Sequence, residues 1–595
     1  MWGVKCAVKI LWRISWISPH TSHITLLMDW KRKTLMKKIF KKDLIIISII
    51  TIIYSIISFI NLGSFTDPQT FWNVENVGEY IVLEIEEIEV SKIRHYTGPR
   101  FGTYKLYTSN DGEKFEFCTN LEQTSVFAWS DLEVNEKFRY LKIVGQTEDS
   151  YLGDIAIYNK NEERVKVYAI NQEANLIIDE EKCVPEEISF INSTYFDEIY
   201  HPRTAYEYVH GIDVYEWTHP PLGKLLMAIP ISMLGMCPFA YRLMGNIAGI
   251  LMLPIIYILA KDMFKSRKYA IVAAIIMACD NFHFAQTRLA TVDSFLVLFI
   301  MLSFMFMYKY IILTDKDKIK TKLKMLFFSG LFMACSISTK WTGCFAAIGL
   351  AIIFFANLIK INAIDKFEFS KNGINIRFKE KKWSKETTVI ILSCITFFVI
   401  LPIIIYLLCY IPDKNVKTLE DVWNLQINMY KYHSELEAEH PFTSNWYTWF
   451  IMKKPVWYYS GTVESGMHST ISGIGNPIIW WTGIAGMVYV LIKGLRKLDV
   501  NCWFIIVAIL TALIPYLSIS RIMFMYHYFP VLPFMMLSIV MLIKDIENKV
   551  RFKKIYLIYI IIIVAMFIYY YPVVSGMTVS EEYIEATKWL DSWYY

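Results

Sequence analysis

Two short motifs near residue 200 carry the side chains best suited to acid–base chemistry. Asp197 and Glu198 form a carboxylate pair, and a carboxylate can accept the proton of a hydroxyl group. His219-Pro220-Pro221-Leu222-Gly223-Lys224 follows shortly afterwards. Each motif by itself is weak evidence, because two solvated loop acids and a helix that starts at prolines explain them without any function.

Four basic residues lie at the ends of apolar segments, where charged side chains are costly: Arg242, Arg288, Lys340 and Arg521. Any one of them could extend to the membrane surface or pair with an acid, and Asp293 lies close after Arg288. If all four lie at one depth, they indicate a shared anionic ligand. A lipid phosphate fits this description, and Arg provides a suitable fork of donors for it.

The composition requires a membrane protein. Hydrophobic residues make up 55% of the 595 residues and charged residues 19%, against about 25% charged in an average soluble protein. Repeated apolar runs of roughly 20 residues can cross a bilayer as helices. A soluble enzyme, a disordered scaffold and a disulfide-rich secreted domain are excluded as descriptions of the whole chain. The ten Cys residues show no metal-ligand spacing, and only Cys118 and Cys183 lie in a polar region where they could pair.

Basic clusters between the apolar runs mark the cytoplasmic side of the membrane. They are Lys261–Lys268, Lys316–Lys324, Lys360–Lys385, Lys493–Lys497 and Lys544–Lys554. With a cytoplasmic N-terminus they predict about eleven spans: 44–60, 241–260, 269–286, 289–312, 325–341, 343–360, 388–410, 477–493, 502–519, 527–543 and 555–572. Leu222–Cys237 is short and contains Lys224 and Pro230, so we expect an interfacial helix there. The four basic residues then share the outer depth.

A polar region between the first and second spans is predicted to be an extracytoplasmic β-sandwich, at 63–185. Ile81–Val90 alternates with a period of two over much of its length, and Asn110-Asp111-Gly112 is a strong turn signal. The order of its features resembles discoidin-like domains: Ser109-Asn-Asp-Gly, Phe127-Ala-Trp129, Arg139-Tyr-Leu-Lys-Ile and Gly153-Asp-Ile. A role in binding a glycan or surface and a role as a spacer both stay open. We expect the unit to fold alone and to be dispensable for catalysis.

Eight motifs, in order over about 186–575, resemble the protein O-mannosyltransferases (glycosyltransferase family 39) of bacterial type. They are Phe196-Asp197-Glu198, His219–Lys224, Arg288–Asp293, Ser338–Gly343, His440–Trp446, Lys454–Tyr459, Gly475–Trp481 and Arg521–Pro530. The resemblance implies a GT-C fold with eleven spans, which agrees with the topology predicted from charge. One departure concerns an acidic position of the family, which is Trp217 here, with Glu216 the nearest acid.

The resemblance implies a glycosyltransferase that moves mannose, with inversion, from a polyprenyl-phosphate carrier to Ser or Thr hydroxyls of exported proteins. Asp197 would be the catalytic base, and Glu198 would position the acceptor or tune Asp197. Arg242 and Arg288, with Lys224 and Lys340, would hold the donor phosphate. His219 would order the interfacial helix near the donor, and Asp293 and Arg521 would complete the substrate site. No metal or other cofactor is expected.

These expectations divide the chain as follows: cytoplasmic N-terminus 1–43, in which Met28 or Met36 is an alternative start; first transmembrane helix 44–62; β-sandwich 63–185; catalytic outer loop 186–240; transmembrane helices 241–410; extracytoplasmic loop 411–476; C-terminal transmembrane helices 477–574; extracytoplasmic tail 575–595. The protein is expected in the plasma membrane, with its active site outside and no nucleic-acid partner. A GT-C enzyme acting on a lipid or wall polymer stays open, as does a transporter of lipid-linked sugars, although the latter should carry charges near mid-membrane.

Overall fold

A computed structural model describes residues 23–362, 364–370, 373–378, 384–464, 466–551 and 553–595 of the chain. The start of the predicted cytoplasmic N-terminus and part of the basic cluster 360–385 lie outside these ranges. Helix α1 (His23–Phe59) begins in a first compact unit that ends at Ile49 and continues into a second, Ile50–Tyr595. All contacts discussed below lie within the second unit.

Helices account for most of the second unit, as the apolar runs predict. They are α2 (His201–His210), α3 (Leu222–Leu234), α4 (Pro238–Phe264), α5 (Arg267–Ala278), α6 (Asn281–Arg288), α7 (Asp293–Ile311), α8 (Ile319–Thr339), α9 (Gly343–Asn362), α10 (Lys385–Ile395), α11 (Leu401–Leu408), α12 (Leu419–Glu435), α13 (Pro477–Lys497), α14 (Val500–Leu513), α15 (Leu532–Lys549), α16 (Ile555–Ser575) and α17 (Glu581–Thr587). A π-helical turn, Thr396–Ile400, joins α10 to α11.

Nine helical segments in the described part of the chain are long and apolar enough to cross a membrane, and a tenth is formed if α5 and α6 count as one span bent by 58°. The bend has a local cause. Asp280 lies at the break and accepts the N–H of His283 at 2.9 Å as the N-cap of α6, and it also accepts Trp480 Nε1 at 2.8 Å. The other predicted span, 325–341, falls within α8 except for its last two residues, and α8 does not meet the same criterion. The count of eleven therefore stays a prediction.

The predicted β region forms one eight-stranded antiparallel sheet. Its strands are β1 (Trp72–Val74), β2 (Tyr80–Thr97), β3 (Thr103–Ser109), β4 (Glu116–Glu122), β5 (Ala128–Gly145), β6 (Ser150–Asn159), β7 (Arg164–Val165) and β8 (Tyr168–Ala169). The order is β1-β6-β2-β5-β3-β4, with β7 beside β6 and β8 beside β2. The Asn110-Asp111-Gly112 segment lies between the paired strands β3 and β4, as predicted.

The two long strands, β2 and β5, run through the whole sheet, and the neighbours of β2 differ between its first and second halves. The register between β2 and β5 shifts between Glu84 and Ile88, and β6 pairs only with the second half of β2, whereas β8 pairs with the first half. Alternate residues of β2, such as Ile81, Leu83 and Ile93, join a single buried core with strands from both halves. This arrangement suits the predicted sandwich. The thiols of Cys118 and Cys183 are free, so the pairing considered for them is absent from the structure.

The predicted loop 411–476 contains more regular structure than the sequence analysis anticipated. Helix α12 starts at a capping box in which Thr418 Oγ1 accepts the N–H of Asp421 at 3.1 Å and Asp421 Oδ2 accepts the N–H of Thr418 at 2.8 Å. A three-stranded sheet follows, formed by β11 (Val456–Glu464), β12 (Met467–Gly473) and β13 (Thr578–Ser580). A separate hairpin, β9 (Ile364–Ser370) and β10 (Gly373–Phe378), connects α9 to α10.

Candidate active site

The predicted carboxylate pair lies on one 3₁₀ turn, Phe196–Ile199, immediately before α2. Consecutive side chains on such a turn point in different directions, so Asp197 and Glu198 have different surroundings. The side chain of Glu198 is completely buried, whereas that of Asp197 is half-buried. The turn therefore carries a closed acid, Glu198, which the protein encloses, and an open acid, Asp197, which stays partly accessible.

Glu198 is held by a full set of hydrogen-bond donors. Arg242 Nε donates to Oε1 at 2.8 Å and Nη2 donates to Oε2 at 2.6 Å, the two-bond geometry of a strong Arg–carboxylate pair. The backbone N–H groups of Ala290 and Tyr195 donate to the same carboxylate at 3.0 and 3.3 Å. With its oxygens engaged in this way, Glu198 supports the turn that carries Asp197, and the geometry does not favour a direct contact with an acceptor.

Arg242, which we expected at the donor phosphate, has no donor left for one. A guanidinium group carries five N–H bonds, and two of them go to Glu198. The other three go to backbone carbonyl oxygens: Nη1 donates to Leu62 at 2.9 Å and to Phe190 at 2.7 Å, and Nη2 donates to Ser193 at 3.1 Å. The expected phosphate contact of Arg242 is therefore not supported by the structure.

Asp197 is the open member of the pair. Its carboxylate forms no hydrogen bond or ion pair with any residue in the described part of the chain. Burial raises the pKa of Asp197 to about 6, although the charges of His201 and Lys340 act in the opposite direction. A carboxylate with this pKa is mostly ionised near neutral pH and is a stronger base than an exposed one.

A second buried cluster surrounds Glu216. Lys224 uses all three of its N–H bonds there, donating to Glu216 Oε2 at 2.6 Å and to the backbone oxygens of Glu216 at 2.6 Å and His219 at 2.9 Å. His219 Nδ1 lies 3.1 Å from Glu216 Oε1, and Thr218 also bonds to that oxygen. Lys224 therefore stabilises the segment before α3 and is not available for the donor phosphate.

The charges in this cluster determine which groups are ionised. Burial alone would raise the pKa of Glu216, but the charge of Lys224 and the hydrogen bond with His219 outweigh it and hold the pKa well below its ordinary range. Burial lowers the pKa of His219 to about 3, so this imidazole is neutral. Glu216 thus provides the buried carboxylate beside the His-Pro-Pro motif, and it does so one position before Trp217.

Lys340 lies near the same region with part of its ammonium group free. It donates one hydrogen bond, to Asp293 Oδ1 at 2.9 Å, and its Nζ lies 5.4 Å from the centre of the Tyr526 ring. Both members of the Lys340–Asp293 pair are buried. Gly223 permits this close packing, because a Cβ there would lie 2.8 Å from a methyl carbon of Val292, next to Asp293.

Arg288 has a different partner from the one we expected. Its Nη2 donates to the carbonyl oxygens of Ile60 and Asn61, both at 2.7 Å, directly after the end of α1. A cation at this position complements the negative end of the helix dipole. Arg288 Nε is buried without a partner among the described residues. The observed contacts are those of a helix cap rather than those of a phosphate site.

One cavity of 730 Å³ brings the remaining predicted residues together. It is lined by Thr218, His219, Ile337, Lys340, Trp341, Thr342, Cys344, Phe345, Tyr406, Gln426, Tyr430, His433, Ser434, Ser518, Ile519, Ser520 and Arg521. Most of this lining is apolar, while Lys340 and Arg521 contribute positive charge. Asp197 is not part of this lining, but the ring of its neighbour Phe196 lies 6.3 Å from that of Tyr526, which Lys340 contacts.

Arg521 is the least constrained cation of the predicted set. Its guanidinium group forms no hydrogen bond or ion pair with the residues that the structure describes, and it is half-buried in the cavity wall. Burial, followed by the charge of Arg521, lowers the pKa of His433, which also lines the cavity. His433 Nε2 lies 2.8 Å from the carbonyl oxygen of Thr218. Arg521 thus acts on the cavity and is free to bind an anion there.

Several cavity residues were missed by the sequence analysis. Gln426, Tyr430 and His433 belong to α12, in the segment that we had treated as a loop. Tyr406 lies near the end of α11, where it bonds to Trp341 Nε1 at 3.0 Å and also to Gln426. The Thr418–Asp421 capping box was a signal for the helix, but no motif marked these side chains as site residues. Among the described residues no group of three or more His, Cys, Asp or Glu side chains is placed to hold a metal ion.

Two family models match consecutive parts of the chain. Residues 234–416 match "Dolichyl-phosphate-mannose-protein mannosyltransferase", and residues 418–593 match "C-terminal four TMM region of protein-O-mannosyltransferase". The chain belongs to the protein O-mannosyltransferase family. The large β-sheet lies before the first matched residue, so neither model covers it.

Relatives agree with this membership at low identity. The polyprenol-phosphate-mannose–protein mannosyltransferase of Mycobacterium tuberculosis (strain H37Rv) is 20% identical over 461 residues, which is 67% of this chain and 86% of the relative. The Corynebacterium glutamicum enzyme of the same name is 21% identical over 63% of this chain and 81% of its own. The S. cerevisiae Pmt1-Pmt2 complex bound to the sugar donor superposes with a TM-score of 0.58 at 13% identity, covering 68% of this chain and 89% of that one. The protein therefore has the predicted GT-C membrane fold.

Arg242→Ala is expected to damage folding rather than donor binding. It leaves Glu198 buried without its counter-ion, which costs about 3–5 kcal/mol for a buried pair. The measurement is the melting temperature and folded yield of purified protein. Arg139→Ala is the control, because it removes a half-exposed pair with Glu84 and should cost about 0–1 kcal/mol. Normal melting together with weakened donor binding would restore the phosphate role of Arg242.

Proposed function

We propose that the protein transfers mannose from a polyprenyl-phosphate-mannose donor to Ser or Thr hydroxyls of exported proteins, with Asp197 as the base. The observation that carries this proposal is the open, half-buried Asp197 carboxylate near Lys340, which lines the cavity together with a second available cation, Arg521. The names of the relatives supply the sugar, the lipid carrier and the protein acceptor. Family membership supports carrying these substrates over to this chain.

The contacts seen at the four outer basic residues lead us to reassign the phosphate site. All N–H bonds of Arg242 are engaged, and Arg288, although it keeps unused N–H bonds, does not line the cavity. Lys340 and Arg521 do line it, Lys340 with two unused N–H bonds and Arg521 with its whole guanidinium group available. Lys340 and Arg521 would neutralise the charge that develops on the departing phosphate. The apolar part of the cavity lining suits the first units of a polyprenyl chain.

The proposed step conserves atoms and charge. Asp197 accepts the proton of the acceptor hydroxyl as its oxygen attacks C1 of the sugar from the side opposite the phosphate. The bond between C1 and the phosphate oxygen breaks, and the polyprenyl phosphate leaves as an anion next to Lys340 and Arg521. Attack from the opposite side inverts the configuration at C1. The residues named here require no metal for this step, and the absence of any cofactor stays a prediction.

The chain is a multi-pass membrane protein, and we propose that it works in the plasma membrane with its active site outside the cell. The charge-based topology supports this orientation, because the turn with Asp197 precedes a span whose other end is followed by the basic cluster Lys261–Lys268.

The same geometry could serve a hydroxyl group on a lipid or wall polymer. Analysis of glycosylated secreted proteins in a deletion strain would decide between these acceptors.

Asp197→Asn is expected to lower turnover by about 10²–10⁴-fold, because the amide keeps the size of the side chain but cannot accept the hydroxyl proton. Donor binding should persist. The measurement is transfer of labelled mannose to a Ser/Thr peptide, with donor binding measured separately. Asp197→Glu serves as the matched variant that keeps a base. Full activity of Asp197→Asn would rule out the assignment.

The activity should depend on the ionisation of Asp197. Because burial raises the pKa of Asp197 to about 6, the base form is gained as the pH rises through that value. We therefore expect kcat/KM to increase tenfold per pH unit below about pH 6 and to level off above it. A profile that is flat down to about pH 5, with the protein still folded, would contradict the proposal.

Arg521→Gln and Lys340→Gln are each expected to weaken binding of the lipid donor by about 1.5–3 kcal/mol, the usual scale of a hydrogen bond to a charged group. Peptide affinity should change little. The control is Lys417→Gln, which removes an exposed cation from the same outer side. Unchanged donor affinity in both cavity variants would place the phosphate elsewhere.

A further inference from the structure

We propose that the β domain (Trp72–Ala169) is part of the active-site framework, because the segment Val126–Trp129 holds Ser193 and Thr194 and thereby fixes the position of Asp197. The inference rests on the proposed function only in taking Asp197 as the base. It assigns Thr194 as a positioning residue for that base. Neither family model reaches this part of the chain.

Three hydrogen bonds join the two segments. The N–H of Thr194 donates to the carbonyl oxygen of Phe127 at 3.1 Å, and Thr194 Oγ1 donates to the carbonyl oxygen of Val126 at 2.6 Å. In the other direction, the N–H of Trp129 donates to Ser193 Oγ at 3.1 Å. Bonds of this kind, made by adjacent residues in both directions, fix a segment in position and in register.

This junction is buried, which makes its hydrogen bonds costly to lose. Val126, Phe127 and Trp129 are 2%, 0% and 3% exposed, and Ser193 and Thr194 are 7% and 8% exposed. Water cannot replace a lost partner in such surroundings, so a carbonyl oxygen left alone there bears the full cost of desolvation. The contact between the two segments is therefore part of the folded core, and it is not a surface contact between two independent domains.

Aromatic packing extends the junction to α2, the helix that follows the catalytic turn. The rings of Phe127 and Tyr206 meet edge to face with their centres 5.1 Å apart. Phe127 adopts a backbone φ of +48°, which non-glycine residues rarely do and which persists only where the surroundings require it. The β domain therefore contacts the chain both before and after Asp197.

The other side of Ser193 is held by the membrane-spanning part of the protein. Its carbonyl oxygen accepts Arg242 Nη2 at 3.1 Å, and the same guanidinium group binds Glu198. Asp197 thus lies between an anchor at Ser193–Thr194 and an anchor at Glu198. Only Tyr195 and Phe196 separate it from the first anchor, so a displacement there would reach the carboxylate.

This inference replaces our expectation that the β domain is dispensable. Removing it would delete the partners of Thr194 and Ser193 together with those of Pro185 and Glu186, whose carbonyl oxygens accept Arg94 Nη1 at 2.5 and 3.0 Å. The domain has its own core, but its contacts with the catalytic segment are those of a single folded unit.

The test replaces Thr194 in the full-length protein. Thr194→Val keeps the shape of the side chain and removes the bond to Val126, and Thr194→Ser restores the hydroxyl group. The matched control is Thr108→Val, which removes a buried threonine hydroxyl that bonds to Glu136 within the same domain. Ser193→Ala, which removes the partner of the Trp129 N–H, is a second variant at the junction.

We expect Thr194→Val to lower kcat by about 10- to 10²-fold, the effect of displacing a catalytic group by roughly 1 Å. The KM for the lipid donor should stay within about twofold, and Thr194→Ser should recover most of the activity. Ser193→Ala should behave like Thr194→Val, and Thr108→Val should keep wild-type kcat. Equal losses in Thr194→Val and Thr108→Val, unchanged kcat in Thr194→Val, or failure of both junction variants to fold would overturn the positioning role.

Asp197→Asn, measured in the same assay, separates this inference from the proposed function. An inactive Asp197→Asn with a fully active Thr194→Val would leave the catalytic assignment intact and refute the positioning role. An active Asp197→Asn would refute the catalytic assignment, whatever the Thr194 variants do.

Discussion

The ion pair between Arg242 and Glu198 is the interaction on which the rest of the site depends. It joins α4 to the 3₁₀ turn Phe196–Ile199, and the same guanidinium group binds the carbonyl oxygens of Leu62, Phe190 and Ser193. A buried ion pair is stable only when its remaining polar atoms also have hydrogen-bond partners, because removing two charges from water costs free energy. Here every N–H bond of Arg242 has an acceptor, so the pair can specify one position for the turn that carries Asp197.

The hydrogen-bond partners of a charged side chain, rather than its residue type, decide whether it can contact a substrate. Glu198, Arg242 and Lys224 are closed by protein hydrogen bonds, whereas Asp197 and Arg521 have none from the described residues, and Lys340 has one. A closed group contributes to stability and cannot bind a ligand without leaving a buried charge alone. Lys340 and Arg521 line one cavity, and Asp197 lies near Lys340. In the proposed reaction the carboxylate takes a proton, and the two cations stabilise the negative charge of the departing phosphate.

The sequence predicted the elements better than it predicted the roles of the charges. Apolar runs placed the helices, and alternation placed β2, because each depends on local pattern. The acid that the motifs predict to be the base, Asp197, is also the member of the pair that the described residues leave without a partner. The roles of Arg242 and Arg288 could not be predicted, because their partners, the Glu198 carboxylate and several carbonyl oxygens, belong to residues far away in the chain. Helix α12 was missed since 411–476 was treated as a loop, although its capping box was visible in the sequence.

The position of the β domain in the chain explains why these two arginines have structural roles. The β domain follows α1 in the chain and precedes the 3₁₀ turn Phe196–Ile199, so both segments that connect it to the helices lie near Asp197. Arg288 holds the entry at Ile60 and Asn61, and Arg242 holds both the entry at Leu62 and the exit at Phe190 and Ser193. A domain inserted at this point would otherwise leave the segment before Asp197 free to move with it. With both connections fixed by buried cations, the domain can support the 3₁₀ turn Phe196–Ile199, while Lys340 and Arg521 are the members of the basic set that line the cavity.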